Sequence, residues 1–477
     1  MTTEQQLPEG WKIERLGDVI DIQGGSQPPK SEFIYEPMEG YIQLLQIRDF
    51  GENGIPTFVP QNRVTKFCDK DDILIARYGA SLGRIVTGLA GAYNVALAKT
   101  IFDKNLLIKR FVYYLLQTQI FQAPLKMISR SAQNGFAKHE IAHIEIPIPP
   151  LETQQAIVNK IESLFDEIDE GIGRLKTAAQ QIQQYRQSLL KNAFNGELTK
   201  EWRSKHADTL PSENELLAQI QTTREQHHAQ QLANWQTAVS QWEQNGKEGK
   251  KPSKPSTLKK LESIEKLNEI ELTELPNGWF WERLGLMTLG VEYGTSAKSQ
   301  PEGKVPVLRM GNMQNGKIDW TDLVYSDNDE EIKQYSLKKG DVLFNRTNSP
   351  ELVGKTSIIE TDEKAIFAGY LIRINHLTEI TDGRYLTYFL NSMIAKKYGN
   401  FVKTDGVNQS NINGQKLINY PFVFCSLEEQ KEVANILEQK LTACDQLAAE
   451  LAKQLKQAEL LKQAVLKAAF SGNLLDK

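Results

Sequence analysis

The sequence predicts an α+β fold: two similar globular domains, each followed by a long helix, with the two long helices as each other's partner. Two observations predict it. The first is duplication. LPEGWKIERLGDV from Leu7 returns as LPNGWFWERLGLM from Leu275, and LETQQAIVNKIESLFDEID from Leu151 returns as LEEQKEVANILEQKLTACD from Leu427. From there the copies stay in step to AFNGEL (Ala193 to Leu198) and AFSGNL (Ala469 to Leu474), while the long stretches enclosed by these edges barely resemble each other. The second is periodicity, which differs sharply between the repeated tails and the unmatched stretches.

In the first tail Val158, Ile161, Phe165, Ile168, Ile172, Leu175, Ala179 and Ile182 recur at alternating steps of three and four, continuing through Leu189 and Ala193. The second tail repeats the phase with Ala434, Leu437, Leu441, Cys444, Ala448, Leu451, Leu455 and Ala458, then Val465 and Ala469. Such a spacing is a coiled-coil heptad. Both seams are interrupted in the same slot, by Arg186 and by Lys462, whose long side chains can snorkel from a seam or face a nucleic-acid backbone. Gly196 and Gly472 offer left-handed helix stops. Gly171 and Gly173 mark a weak point in the first helix, since each costs about 1 kcal/mol relative to alanine. Helices this long need a partner along most of their length, and the simplest is the other copy.

The unmatched stretches are β-rich. YIQLLQI from Tyr41, DDILIARYG from Asp71 and KVPVLRM from Lys304 lie between turns of Gly, Asn and Pro, with helical stretches near Phe111 and Arg384. DKDDILIARYGASLGRIVTG from Asp69 and KKGDVLFNRTNSPELVGKTSII from Lys338 read as one shared element of strand, turn and strand. The two domains are thus expected to share a fold and differ in surface. The segments fall as domain one, 1–150; helix one, 151–199; a polar, partly helical linker, 200–274; domain two, 275–425; and helix two, 426–477. The lysine–proline run GKEGKKPSKPSTLKK within the linker reads as solvated.

Composition excludes more than it selects. The 477 residues suggest about three domains, and 40% hydrophobic with 24% charged residues is ordinary for a soluble protein. No apolar run is long enough for a membrane span, and the first residues lack the pattern of a secretory signal. Three scattered cysteines fit a reducing cytoplasm. With 56 Lys and Arg against 60 Asp and Glu, the net charge of −4 does not announce nucleic-acid binding. Any such contact needs cations gathered on one face, or help from a partner.

The LPxGWxxxRLG opening, the L-E-x-Q helix start and the AF-x-G-x-L close, each present twice, resemble the DNA-specificity (S) subunit of Type I restriction–modification enzymes. The resemblance covers nearly the whole chain except the linker. It implies that the unmatched domains are target-recognition domains and that the repeated helices pair antiparallel, as a spacer and as a platform for two methyltransferase subunits, with restriction and translocase subunits joining them. It also implies that this chain is not itself an enzyme and holds no cofactor, with S-adenosylmethionine, ATP and Mg2+ residing in the partner subunits. The physics agrees, because a tandem duplication can fold with pseudo-two-fold symmetry and duplex DNA has local two-fold axes. Two different domains then imply an asymmetric, bipartite target with a fixed gap.

Direct base readout needs Arg, Lys, Asn or Gln on loops or strand ends. In the first domain the candidates are Gln43, Gln46, Arg48, Arg77, Tyr78, Arg84, Arg130, Gln133, Asn134, Lys138 and His139, with RSAQNGFAKH around Gly135 the best segment. In the second they are Arg309, Asn312, Gln314, Asn315, Asn345, Arg346, Asn348, Lys355, Lys403, Asn408, Gln409 and Asn411, with GVNQSNING from Gly406 in the corresponding place. Roughly a third are expected to touch DNA, because phosphate contacts outnumber reading contacts. Arg77 and Arg346 match in domains with different contents, which favours phosphate or fold over a base. Trp11 and Trp279 read as core anchors.

Catalytic signatures fail. LVGKTS from Leu352 has Ser349 where a phosphate-binding loop needs its first glycine. His139 and His143 lack a third metal ligand at a convincing spacing, NSPE at Asn348 is not an amino-methyltransferase signature, and no glycine fingerprint for S-adenosylmethionine follows a strand. The competing functional reading is an interaction scaffold whose globular domains bind protein or RNA. Sequence-specific duplex binding separates the two.

Overall fold

Both repeated tails are uninterrupted helices of 44 residues in the computed structural model, Leu151–Phe194 and Leu427–Phe470, each about 66 Å long at 1.5 Å per residue. The structure describes residues 7–51, 54–131, 135–249, 251–255, 257, 261, 264, 267 and 271–475. The first helix runs through Gly171 and Gly173, where the Thr177 hydroxyl donates to the Gly173 carbonyl at 3.0 Å. Beyond the helix ends, Gly196 and Gly472 adopt φ of +81° and +84°, the left-handed stop anticipated for them. Each is also pressed against a proline of the other copy's opening motif, Gly196 against Pro276 and Gly472 against Pro8. A side chain at either glycine would run into the proline ring. The close of each repeat therefore meets the start of the other.

Two compact units result, residues 1–178 with 450–477, and residues 179–449. Each contains one globular domain, the beginning of its own long helix and the end of the other. The division cuts both long helices, unlike the five consecutive segments read from the repeats, because the two ends of each helix are buried in different cores.

In the first unit a four-stranded sheet runs in the order Ile20–Gly24, Leu97–Phe102, Leu74–Ala76, Ile85–Val86. A second runs Phe58–Pro60, Tyr41–Leu45, Gly91–Tyr93, Phe67–Cys68, and Lys12–Arg15 pairs with Glu145–Ile148. The second unit repeats this plan. Thr288–Tyr293, Leu371–His376, Val342–Asn345 and Thr356–Ile358 form the matching sheet, and Val324–Ser326, Val305–Leu308 and Ile366–Phe367 the matching second layer. In both second layers the central strand has one parallel neighbour, Tyr41–Leu45 with Gly91–Tyr93 and Val305–Leu308 with Ile366–Phe367. Unrelated-looking sequences thus carry one fold.

The cores explain the duplicated tails. In the first unit Phe111, Ile146, Ile157, Val158 and Ile161 pack with Val465, Ala469 and Phe470, and the Phe111 and Phe470 rings lie 4.9 Å apart. In the second, Tyr385, Phe422, Val433 and Leu437 pack with Leu189, Ala193 and Phe194, the Phe194 and Tyr385 rings 5.3 Å apart. Toward the middle of the helices Ile172, Leu175, Ile182, Leu451 and Leu455 are half-buried, as expected where only two helices shield each other, while Phe165, Ile168 and Leu441 pack onto the domain cores.

The seam interruptions pair across the helices. Arg186 binds Asp445, and the Lys462 ammonium donates to Asp169 at 2.5 Å. Asp169 and Asp445 stand 276 residues apart, as do Arg186 and Lys462, so one antiparallel contact is made in each unit. The cations are mostly shielded (21% and 25% exposed) while their partners are exposed. Such a pair adds little stability net of desolvation. Arg186→Leu with Asp445→Leu is expected to leave the unfolding of the second unit unchanged or shifted upward. Asp445→Ala alone, which strands a shielded cation, should lower it by about 1 kcal/mol. Thermal unfolding of the two variants checks both signs.

The L-E-x-Q motif has a structural reason that its sequence does not disclose. Gln154 is fully buried, accepts from the Ile108 N–H at 2.9 Å and donates to the carbonyls of Leu106 and Pro149, both at 2.9 Å. Gln430 does the same in the second copy, accepting from the Asp382 N–H at 3.1 Å and donating to the carbonyls of Ile380 at 3.0 Å and Cys425 at 2.9 Å. One amide in the first helical turn thereby latches each globular domain to its spacer. Arg110 to Glu162 at 2.7 Å and Arg384 to Glu438 at 3.0 Å reinforce the same junctions.

The linker is more ordered than its composition suggests. Its helix Glu213–Gln244 starts on a capping box between Ser212 and Glu215 and buries Leu216 and Ile220 in the second core. Ahead of it, the buried Glu429 carboxylate accepts from Trp279 Nε1 at 2.8 Å, the Thr199 hydroxyl at 2.8 Å and Arg203 at 2.7 Å. Within the lysine–proline run, Pro252 accepts from Trp235 Nε1 at 3.0 Å, and Lys254 lies over the Trp235 ring at 5.6 Å. Charged stems lie along indole faces here, where the sequence suggests a free solvated chain.

Candidate nucleic-acid interface

In each domain the central strand of the first sheet ends at the matched arginine, and a segment from much later in the chain folds back onto it. In the first domain Arg77 follows Leu74–Ala76. Its guanidinium donates to the Phe136 carbonyl at 3.2 and 3.4 Å and lies over the Tyr78 ring at 5.2 Å. Gly135, at φ +80°, closes on this turn so tightly that any side chain would strike the Arg77 carbonyl and the Tyr78 ring. Only glycine satisfies both demands. Tyr78 remains partly exposed beside it.

In the second domain Arg346 follows Val342–Asn345 and lies over the Tyr293 ring at 4.8 Å. Thr347–Asn348 then pairs with Ser410–Asn411, which pairs with Thr404–Asp405. The base is held by the Asn411 amide donating to the Thr347 hydroxyl at 2.7 Å. The tip, Gly406 to Gln409, is closed by Gly406 N–H on the Gln409 carbonyl at 2.7 Å and is exposed throughout, Val407 completely so. Asn408 and Gln409 are thus presented at an exposed hairpin tip closed by a backbone bond. The segments singled out in sequence, around Arg77 and Gly135 and around Arg346 and Gly406, are brought together in each domain.

Other candidates serve the fold. Asn312 is buried, accepting from the Arg309 N–H and donating to the carbonyls of Asp319 and Asp322 at 3.0 and 2.9 Å. Asn345 is also fully buried, in a strand buried along its whole length, and its side-chain amide has no hydrogen-bond partner among the described residues. Neither amide is at the surface where sequence reading placed it. Burial of the entire strand at Asn345, and a turn folding over its own amide at Asn312, decide this. Arg309 is tied to Asp322 at 3.0 Å, and Lys138 to Asp21 at 2.5 Å, a contact that holds the Asp21 carboxyl below its usual range. Gln46 and Arg48 both donate to the Thr57 hydroxyl, at 3.0 and 2.9 Å, so Thr57 is an organising residue that sequence gave no reason to pick.

Gln314 donates to the Gly311 carbonyl at 2.8 Å in a hairpin turned by Asn315 and Gly316, with φ of +52° and +82°. Asn348 accepts from the Ser349 N–H at 2.8 Å, and Lys403 donates to the Pro350 carbonyl at 3.3 Å. Gln43 is half-buried in its strand and His139 is exposed. Gln133, Asn134 and the Arg130 side chain lie outside the described residues. LVGKTS forms a turn running into the strand Thr356–Ile358, where a phosphate-binding loop would open a helix. Among the described residues no group of three His, Cys, Asp or Glu could hold a metal ion, and no helix is long and apolar enough to cross a membrane.

Two same-fold domains with different surfaces are thus set on a duplicated helical frame. A family model described as the type I restriction modification DNA specificity domain matches this chain twice, at residues 8–176 and 293–457. The chain belongs to that family. It is similar to the type I restriction enzyme EcoKI specificity subunit of Escherichia coli K12, 25% identical over 489 aligned residues, covering 98% of this chain and 90% of that protein. The StySPI specificity subunit of Salmonella potsdam is 21% identical over 490, with the same coverage. Of solved structures, a chain from work on complex assembly and conformational transition of the type I R-M system superposes with a TM-score of 0.67 at 17% identity, covering 98% of this chain and 99% of that one. The HsdS subunit of Thermoanaerobacter tengcongensis gives 0.51 at 17%, with the same coverage. At these identities the structural likeness is one of fold.

Proposed function

We propose that this chain is the non-catalytic, sequence-specific DNA-binding subunit of a type I complex, directing methyltransferase and restriction subunits to an asymmetric bipartite site. The observation that carries this reading is the contrast between frame and content. The latches Gln154 and Gln430, the junction pairs Arg110–Glu162 and Arg384–Glu438, and the seam pairs at Asp169 and Asp445 repeat across the two copies. The exposed tip Gly406 to Gln409 belongs to the part that does not repeat. A double-stranded target read by two such domains has two different half-sites, and two antiparallel helices keep the gap between them constant. Successive major grooves on one face lie about 34 Å apart, within the reach of helices this long.

Methyl transfer with S-adenosylmethionine, and ATP- and Mg2+-dependent translocation and cleavage, fall in this reading to the partner subunits, with two methyltransferase subunits on the repeated helices. Affinity is shared likewise. With a net charge of −4 the isolated chain has few excess cations to displace counterions, so its own binding should be weak. Exchanging residues 275–425 for the corresponding domain of another family member is expected to change one half-site and leave the other and the gap as they were. Base-resolution methylation mapping reads this directly. Loss of both half-sites in a folded chimera would contradict independent domains.

A further inference from the structure

The Gly-Arg turn of the first domain and the Gly-Lys turn of the second are the same structure. Gly83 N–H donates to the Ala76 carbonyl at 2.8 Å, and Ala76 N–H to the Arg84 carbonyl at 2.9 Å. In the second domain Gly354 N–H donates to the Asn345 carbonyl and Asn345 N–H to the Lys355 carbonyl, both at 2.8 Å. Gly83 and Gly354 are both left-handed, at φ +79° and +91°. Arg84 and Lys355 therefore occupy one position of the shared fold. A cation is kept there while its neighbours change, Leu82 to Val353 and Ile85 to Thr356.

Each cation lines a cleft within its own unit. The first, of about 620 Å³, is walled by Arg84, Gln122, Lys126 and Gln463 with no carboxylate among the described residues of its lining, and Arg84 also borders a smaller hollow that holds Asp49 and Phe50. The second, of about 890 Å³, is walled by Lys355, Lys396, Asn400 and Arg186, with Glu351 its one acidic residue. In both, the far wall comes from the end of the other copy's long helix. The Arg84 guanidinium is exposed and donates to the Phe50 carbonyl at 2.8 Å, and no carboxylate pairs with it among the described residues. Lys355 is half-buried, and its ammonium has no partner among the described residues. Burial pushes that ammonium below the usual lysine range. For Lys355, a half-buried cation without a counter-charge is costly unless an anion completes it, whereas Arg84 is exposed and free to meet one.

We propose that Arg84 and Lys355 are a pair of equivalent phosphate contacts, one per recognition domain, that seat the DNA backbone without reading its sequence. Phosphate is the fitting anion, because it is the one feature of a duplex that stays the same at two different half-sites. Its recurrence about a local two-fold axis matches cations that recur in two copies of one fold. The inference rests on the functional reading above and divides labour within it: the exposed hairpin tip discriminates, and the turns position.

The test uses the full chain assembled with its methyltransferase partner, with affinity for its target duplex measured over a salt series. Arg84→Gln and Lys355→Gln should each lower the slope of log K against log salt by about 0.9, and together by about 1.8, with the preferred sequence unchanged. At physiological salt each loss corresponds to roughly fivefold in affinity. Arg84→Lys and Lys355→Arg should restore the slope, which separates charge from folding. Specific binding by the parent complex with an unchanged slope in both Gln variants overturns the phosphate assignment alone. A change in the bases preferred would make these residues readers and overturn it too. A parent complex indifferent to every duplex would instead remove the functional reading beneath it.

Discussion

Asn408→Ala with Gln409→Ala is expected to erase discrimination at one half-site while the other is still read. Both side chains sit on the exposed tip of a hairpin whose own closure uses backbone groups, Gly406 N–H to the Gln409 carbonyl. The hairpin therefore survives the substitution. An amide side chain suits adenine, offering a donor and an acceptor to N7 and N6, and a good bidentate pair discriminates by about 1–3 kcal/mol. Losing two such contacts amounts to roughly 2–6 kcal/mol, enough to bring a specific site close to background. Affinity of the assembled complex for duplexes randomised in one half-site at a time measures the effect. Retention of the full motif would show that the tip does not read bases.

Gln430→Ala should unfold the second unit well before the first. The buried amide satisfies the Asp382 N–H and the carbonyls of Ile380 and Cys425. Removing it leaves three polar groups without partners in a site too enclosed to admit solvent freely, at about 1–3 kcal/mol for each group left unpaired. A loss of roughly 3–9 kcal/mol is a large part of a domain's stability. Gln154→Ala should do the same to the first unit. Two separable transitions on heating or in denaturant, with each substitution moving a different one, are the expected pattern. Equal small shifts of a single transition would mean that the latches contribute little.

The frame was legible in the sequence because heptads and repeated motifs are local patterns. The alternating seam from Val158 to Ile182 and from Leu437 to Val465 specifies helix length, partner and phase before any contact is known. Duplication also made Arg186 and Lys462 stand out. Their partners Asp169 and Asp445 did not, because an exposed aspartate beside a seam looks like any solvated charge. The latch residue was visible as part of L-E-x-Q, yet its role was not, since all three of its bonds go to backbone groups that any sequence supplies.

The candidate surface was legible only as segments that the fold brings together. A glycine flanked by amides and cations located the turn at Gly135 and the tip at Gly406. Which side chains face outward depends on which strands are buried on both faces and on turns that fold over their own amides, so Asn312 and Asn345 could not be told from Asn408 in advance. The shared strand–turn–strand element already set LGRIVT against LVGKTS, and the matching hydrogen bonds fix Arg84 and Lys355 as the equivalent positions within it.

Selection of a split DNA target for a methyltransferase is the activity proposed for this chain. The direct measurement is base-resolution mapping of adenine methylation in cells expressing the chain with its cognate methyltransferase subunit, compared with cells lacking the chain. An asymmetric motif in two parts with one fixed gap, present only with the chain, is the predicted result. An active methyltransferase whose marks do not depend on this chain, or show no fixed gap, would contradict the account.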